Sequence, residues 1–221
     1  MLAAMTSTVT SGADPALPLR ERKKLRVRRE LSETALRLFL DRGFDATTLD
    51  ELVDAVEVSK RTFFRYFASK EAVALAAETE LWDAYLAELD RRQLHGHLLT
   101  ALRDALTATV SDLGDDWLRR FLATRGLAAR TPALRDRSDV TSLTVQRRIV
   151  ELLEAKLNLD SRGDVRLRLL GELALSAWRC GARNWVRGMK SHDGRRKVTG
   201  LLREIEAAFD AIPHAAAFSA P

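Results

Sequence analysis

Between Ser59 and Phe67 the chain reads SKRTFFRYF, a segment with three strong cations, three phenylalanines and no acid. If it is a helix capped by Ser59, then Lys60, Arg61 and Thr62 occupy the first turn. Lysine and arginine can donate to guanine edges from that position, arginine as a fork, and Thr62 or Phe64 can meet a thymine methyl. Phe63 and Phe67 lie four apart and share one face, so with Val58 they can hold the helix down. Arg65 lies about 200° round from Phe63 and points away from that face. Tyr66 and Lys70 suit phosphate oxygens, and Lys70 opens a helix whose backbone N–H groups also favour anions. Thr48 can cap a helix and donate to a phosphate. The chemistry expected of Thr48, Lys60, Arg61, Thr62, Phe64, Arg65, Tyr66 and Lys70 is therefore contact with double-stranded DNA. A charged helix hairpin inside a bundle would also explain Phe63 and Phe67. It leaves the outward cations without a purpose.

The elements that must position these residues are helical. Arg20, Arg22, Lys23, Lys24, Arg26, Arg28 and Arg29 face only Glu21, a local excess that reads as a phosphate-contacting arm. The arm runs into an amphipathic helix with Leu31, Ala35, Leu38 and Phe39 at helical spacing, stopped by Gly43. Phe44 then plugs a small core. Thr48 and Glu51 make a capping box for a second helix carrying Leu52, Val53 and Val56 inward. Ser59 caps the third. Ser69 caps a fourth, expected to run unbroken through Val73, Leu81, Trp82, Tyr85 and Leu89 and to join two domains. Further helices are predicted at about 97–112, 116–129, 133–156, 164–188 and 195–211, separated by His95-Gly96, Gly114, Thr131-Pro132, Asn158–Gly163 and Ser191–Gly194. No alternating run of strand length occurs, and no solenoid-period repeat. The predicted fold is all-α. A disordered lead-in (1–19) precedes a three-helix DNA-binding domain (20–68). A helical effector-binding and dimerisation domain (69–213) and a flexible tail (214–221) follow.

Bulk properties exclude several classes. The 221 residues carry a net charge of +5, so the placement of charge matters more than its total. A single cysteine, Cys180, excludes an intramolecular disulfide and suits a reducing compartment. It reads as a small buried residue. No apolar run approaches the roughly 20 residues that cross a bilayer, and the N-terminus has no secretory-signal pattern. The expected location is the cytoplasm. No Gly-rich phosphate loop, nucleophile elbow, zinc-ligand set or motif-spaced carboxylate pair is present, so neither an enzyme nor a metal or other cofactor is expected.

The stretch ALRLFLDRGFDATTLDELVDAVEVSKRTFFRYFASKE resembles the tetracycline-repressor (TetR) family of bacterial transcription regulators, over roughly Arg22 to Leu75. The shared pattern is an apolar helix, Gly-aromatic, Thr-Thr, V-S-x-x-T-x-x-x-[HY]-F and S-K-E. The resemblance implies DNA contact at the eight positions named above and buried roles for Val58, Phe63 and Phe67. It implies a ligand-responsive homodimeric repressor that leaves a pseudo-palindromic operator when a small-molecule effector binds. Two departures stand out. The family often has Gly where this chain has Glu57, which strains the turn by roughly 1 kcal/mol if its φ is positive. Many members have Gly where Arg61 stands, so base reading rather than close backbone approach is expected there. TFFRYF and Thr131-Pro-Ala-Leu-Arg are also similar to regulators associated with mycofactocin gene clusters, which implies an acyl-CoA-like effector.

The C-terminal half resembles the family only in kind. Gly171, Ala174, Leu175 and Gly181 present small residues on one helix, and Leu201, Ile205 and Phe209 an apolar face on the next. Together they are the expected dimer interface, the alternative being that they close the monomer core. Trp117, Phe121, Gln146, Ile149 and Trp178 are the expected lining of an effector pocket. A second reading of the whole chain is a helical adaptor that keeps the head without regulated operator binding. Salt-dependent DNA affinity separates the two.

Overall fold

The structure is a computed structural model and describes residues 18–188 and 197–219. The expected lead-in before residue 18, the break at Ser191–Gly194 and the helix start at 195 lie outside the described residues. The helices are α1 (Leu19–Arg42), α2 (Leu49–Ala55), α3 (Lys60–Tyr66), α4 (Lys70–Ala74), α5 (Ala76–Arg91), α6 (Leu98–Ala128), α7 (Pro132–Leu157), α8 (Val165–Gly188) and α9 (Val198–Ala216). No strand occurs among the described residues. None of the helices is long and apolar enough to cross a membrane.

Local sequence accounts for most of the ends. Leu31, Ala35 and Phe39 recur every four residues and are buried along α1, which stops where Gly43 takes φ 93°. The capping box at Thr48 and Glu51 is formed in both directions. Ser59 and Ser69 accept from the backbone N–H of Thr62 and Ala72 and so open α3 and α4. α6 is interrupted at Gly114, whose φ of 70° no helix interior tolerates, so its two halves are the two helices expected on either side of that glycine. Thr131 and Pro132 open α7, and Asn158 closes it in the left-handed conformation. α9 passes through Pro213 to Ala216, beyond the expected end at 211 and into the expected tail. Proline has a helical φ, so the helix continues through it without the bond its missing N–H would have made to the carbonyl four residues back.

Two expectations are corrected. The fourth helix is not continuous: it breaks at Leu75 (φ −97°, ψ 18°) into α4 and α5. Val73, Ala74 and Leu75 pack with Leu31, Phe39, Leu52, Phe63 and Phe67, and this small core closes on Leu127, Ala128 and Leu134 from the α6–α7 junction. The head's core therefore extends past Ser69 to the break. The larger core is built by α5 to α9 around Leu81, Trp82, Tyr85, Trp117, Ile149 and Trp178. Trp117 donates to the Ala77 carbonyl at 2.8 Å and the Tyr85 hydroxyl to the Leu102 carbonyl at 3.2 Å, so these two polar groups are satisfied inside the core.

The second correction concerns the expected dimer interface. Gly171, Ala174, Leu175, Gly181, Leu201, Ile205 and Phe209 are all buried within one protomer. A Cβ on Gly181 would lie 2.7 Å from the Glu204 carbonyl oxygen and 2.8 Å from the Ile205 Cα. A Cβ on Gly171 would lie 3.0 Å from the Val150 side chain. These glycines let α9 and α7 approach α8 of the same chain. Gly181→Ala is predicted to destabilise the fold by about 1–3 kcal/mol because backbone, not a flexible tip, must move. Gly126→Ala, in a helix with open space around it, is predicted to stabilise by about 0.5–1 kcal/mol. Denaturant unfolding of the two variants checks the contrast.

Candidate nucleic-acid interface

The two short helices α2 and α3 meet across a turn in which the Val58 N–H reaches the Val53 carbonyl at 3.0 Å and the Glu57 N–H reaches Asp54 at 3.1 Å. Glu57 makes this turn with φ 53°, so the strain anticipated for a non-glycine residue there is present. Phe63 and Phe67 are buried under α3, their ring centroids 5.9 Å apart. Phe64, by contrast, is 53% exposed and leans its ring edge-on against Phe63 at 5.4 Å. The phenylalanines thus divide into anchors and one outward apolar group.

Lys60, Arg61 and Arg65 are exposed on the outer face of α3, and Thr62 and Tyr66 are half-buried at its margins. The Lys60 ammonium sits 2.6 Å from Asp50, both side chains more than half exposed. An exposed pair of this kind is worth about 0–1 kcal/mol, so an incoming guanine or phosphate can displace Asp50. Arg65 lies over the Tyr66 ring at 5.1 Å and donates weakly to its hydroxyl at 3.4 Å. Thr62 Oγ1 accepts from the Ser59 hydroxyl at 3.0 Å, leaving its own proton free for a ligand. The Thr48 hydroxyl donates to Glu51 at 2.9 Å and must leave that acceptor to reach a phosphate.

Lys70 is placed differently from the expectation. Its Nζ donates to the Phe44 carbonyl at 2.9 Å and the Thr47 carbonyl at 3.0 Å, and it sits 4.2 Å from the Phe44 ring centre. Two of the three ammonium donors are therefore committed to the α1–α2 connection. The residue pins that connection onto α4 and has one donor left for a phosphate.

The basic arm also divides. Arg20, Lys23 and Lys24 of α1 line one groove, of about 440 Å³, together with Arg65 and Tyr66 of α3. Lys24 is only loosely tied, 3.8 Å from Glu21. Farther along α1, Arg28 stacks on the Phe67 ring and Arg29 bonds Glu33 at 2.7 Å and Asp116 at 3.0 Å. The first turns of α1 share a surface with α3, whereas Arg28 and Arg29 are engaged by the protein's own groups.

In the body, the expected pocket lining is only partly brought together. Phe121 and Trp178 line a cleft of about 310 Å³ between α5, α6, α7 and α8. Trp117 and Ile149 are fully buried in the core. Gln146 lies on the surface, donating to Glu172 at 2.6 Å. Sequence reasoning missed the cleft's polar members, Glu78 and Ser138, and its third aromatic wall, Trp82. Glu78 did leave a signal: a carboxylate at the register of Leu75, Leu81, Trp82 and Tyr85, on the core side of α5. Cys180 is exposed, not buried. No group of three or more residues that could hold a metal occurs among the described residues.

The family model described as bacterial regulatory proteins, tetR family, matches residues 31–77, the span from α1 to the start of α5. The HTH-type transcriptional regulator TcmR of Streptomyces glaucescens is 34% identical over 191 residues, 84% of each chain. MftR of Mycobacterium tuberculosis, a proposed mycofactocin biosynthesis regulator, is 32% identical over 80 residues, 36% of this chain and 38% of that one. Among solved structures, a TerR/AcrR-family transcriptional regulator from Aquifex aeolicus superposes with a TM-score of 0.51 at 14% identity, over 84% of this chain and 99% of that one.

The caps of the head carry a pH dependence. The Thr48 backbone N–H, and then its hydroxyl, hold the Glu51 carboxyl below the usual carboxylate range, and the Ser69 hydroxyl does the same for Glu71. A lowered folded-state pKa gives stability that is complete above the unfolded value and is lost as pH falls through the folded one. Amide protection at the starts of α2 and α4, measured as exchange relative to the intrinsic rate at each pH, is predicted to be flat above about pH 5 and to fall below about pH 4. Glu51→Gln should remove that acid response at α2 alone.

Proposed function

The chain belongs to the TetR family of bacterial regulatory proteins and is a DNA-binding transcriptional regulator. From that premise we propose that it acts as a homodimeric repressor that leaves a pseudo-palindromic operator when a small molecule binds its body. The observation that carries the DNA side is the convergence of Arg20, Lys23 and Lys24 with Arg65 and Tyr66 on one groove, beside the outward Lys60 and Arg61. The base-reading set is Lys60, Arg61, Thr62 and Phe64, at the start of the helix a major groove admits. Thr48, Arg65, Tyr66 and the arm contact phosphate. Lys70 positions the α1–α2 connection and adds at most one donor. The head runs from α1 through α4 and the body from α5 to α9.

With the small-residue faces buried inside the protomer, the dimer reading moves outward. Leu143 is 66% exposed on α7 and Leu169 is 50% exposed on α8. They stand one turn from either end of the Gln146–Glu172 hydrogen bond, on one outward band. The effector site is the cleft lined by Phe121 and Trp178. The reading includes no catalysis and no cofactor, and places the protein in the cytoplasm with its DNA. The adaptor alternative has no observation of its own in its favour.

Footprinting on DNA flanking the protein's own gene, at physiological salt, is expected to show a protected site with approximate two-fold symmetry. The absence of any specific protection would overturn the operator reading. Arg61→Ala should relax preference at one base pair and weaken the preferred sequence by about 1–3 kcal/mol. Lys23→Ala should weaken all sequences together and reduce the salt slope by about one charge. Leu169→Glu should shift sedimentation from dimer to monomer. Unchanged dimerisation would move the interface elsewhere.

A further inference from the structure

An acid stands among the outward cations of the DNA-reading face. Asp50 of α2 lies 2.6 Å from the Lys60 ammonium of α3, and both side chains are more than half exposed. The acid beside it in sequence is accounted for by the fold: Glu51 closes the capping box with Thr48 and pairs with Arg42 at 3.2 Å. Asp50 instead reaches out of its own helix to the residue that opens α3.

A carboxylate in this place weakens the hold on DNA as such. Binding without regard to sequence is carried by phosphates. A phosphate taken by Lys60 comes within about 5 Å of the Asp50 carboxylate, where two unit charges in water repel enough to weaken the contact about three- to fivefold. A base edge carries no net charge and escapes that penalty. The exposed ion pair is itself too weak to trap Lys60. The effect of the acid therefore lies in which partner Lys60 can take.

We propose that Asp50 is a specificity-determining residue that reads a G·C pair together with Lys60 and disfavours phosphate contact by Lys60. A donor beside an acceptor matches that pair in the major groove, where guanine N7 and O6 accept and the cytosine amino group next to O6 donates. Lys60 donates to the guanine, and Asp50 accepts from the cytosine amino group. Adenine offers the ammonium one acceptor where guanine offers two, so an A·T pair fits less well. The inference rests on the reading of Lys60 as a base reader. It adds a residue outside the eight expected contacts, and one of the opposite charge.

The test uses the full-length protein with two duplexes of equal length, one that it selects from a random-sequence library and one with that sequence scrambled. Fluorescence anisotropy over a salt series gives the affinities, and single base-pair changes in the selected duplex give the preference at each position. Asp50→Ala is expected to bind the scrambled duplex about three- to fivefold more tightly, with a steeper salt dependence. It should also lose about five- to tenfold of the preference for G·C at one pair. Lys60→Met should lose the preference at the same pair. Asp54→Ala, which removes an exposed charge one turn along α2, should keep it. Circular dichroism confirms that each variant is folded. Preference kept by Asp50→Ala and lost by Lys60→Met overturns the proposal and leaves Lys60 as a base reader. Preference kept by both variants removes Lys60 from the base readers, and the proposal with it. An equal gain for both duplexes in Asp50→Ala reduces the acid to a general repulsion and overturns the proposal as well.

Discussion

Val73, Ala74 and Leu75 are buried against the α6–α7 junction at Leu127, Ala128 and Leu134, and the short helices of the head depend on that apolar seam. Three short helices of seven, seven and five residues cannot hold themselves in water, where isolated helices shorter than about 12 residues are marginal. They are stable because α1 and the body complete their core. The Thr124 hydroxyl reaches the Ala74 carbonyl at 3.4 Å across the same seam. Beside it Arg29 of α1 pairs with Asp116 of α6. The pair is partly exposed and screened by salt, so it orients the head while the apolar seam holds it.

The break at Leu75 gives this arrangement a mechanical consequence. In one continuous helix α3 would be tied to the body by a rigid rod. With the chain divided, α4 belongs to the head's core and α5 to the body's, and the joint between them lies beside the cleft that contains Glu78. A ligand can shift the spacing of two recognition helices only if it prefers the conformation with the wrong spacing. A buried carboxylate next to the joint is a group through which such a preference can act.

Charge on the head is sorted by partner more than by number. Arg28 and Arg29 are spent on Phe67, Glu33 and Asp116, and Lys70 on two carbonyls. Among the described residues Arg61 finds no partner, and Lys60 is only loosely paired. The first turns of α1 turn the same way as the end of α3. A DNA surface is made as much by the cations withdrawn from it as by those left on it.

Apart from the break at Leu75 and the far end of α9, the sequence by itself determined the helices, their caps and the division between Phe63 and Phe67 as anchors and Phe64 as an outward ring. These follow from local rules: a hydroxyl that meets its own helix's N–H, a glycine that takes positive φ, and apolar residues four apart. It also located the recognition segment, because its chemistry is written in consecutive residues. Only the tertiary structure decided which partner each exposed-looking group finds. Gly171, Gly181 and Ile205 have the composition of a dimer face, yet α8 spends them on α7 and α9 of its own chain, since small residues allow close approach without saying whose helix approaches. Lys70 looks like a phosphate ligand until Phe44 and Thr47 fold over it, 26 and 23 residues away. Glu78, Ser138 and Trp82 lie on three turns of two helices and become a site only when α5 and α7 pack. Periodicity reports the face a residue shares within its helix; what that face meets is fixed by packing over long sequence separation.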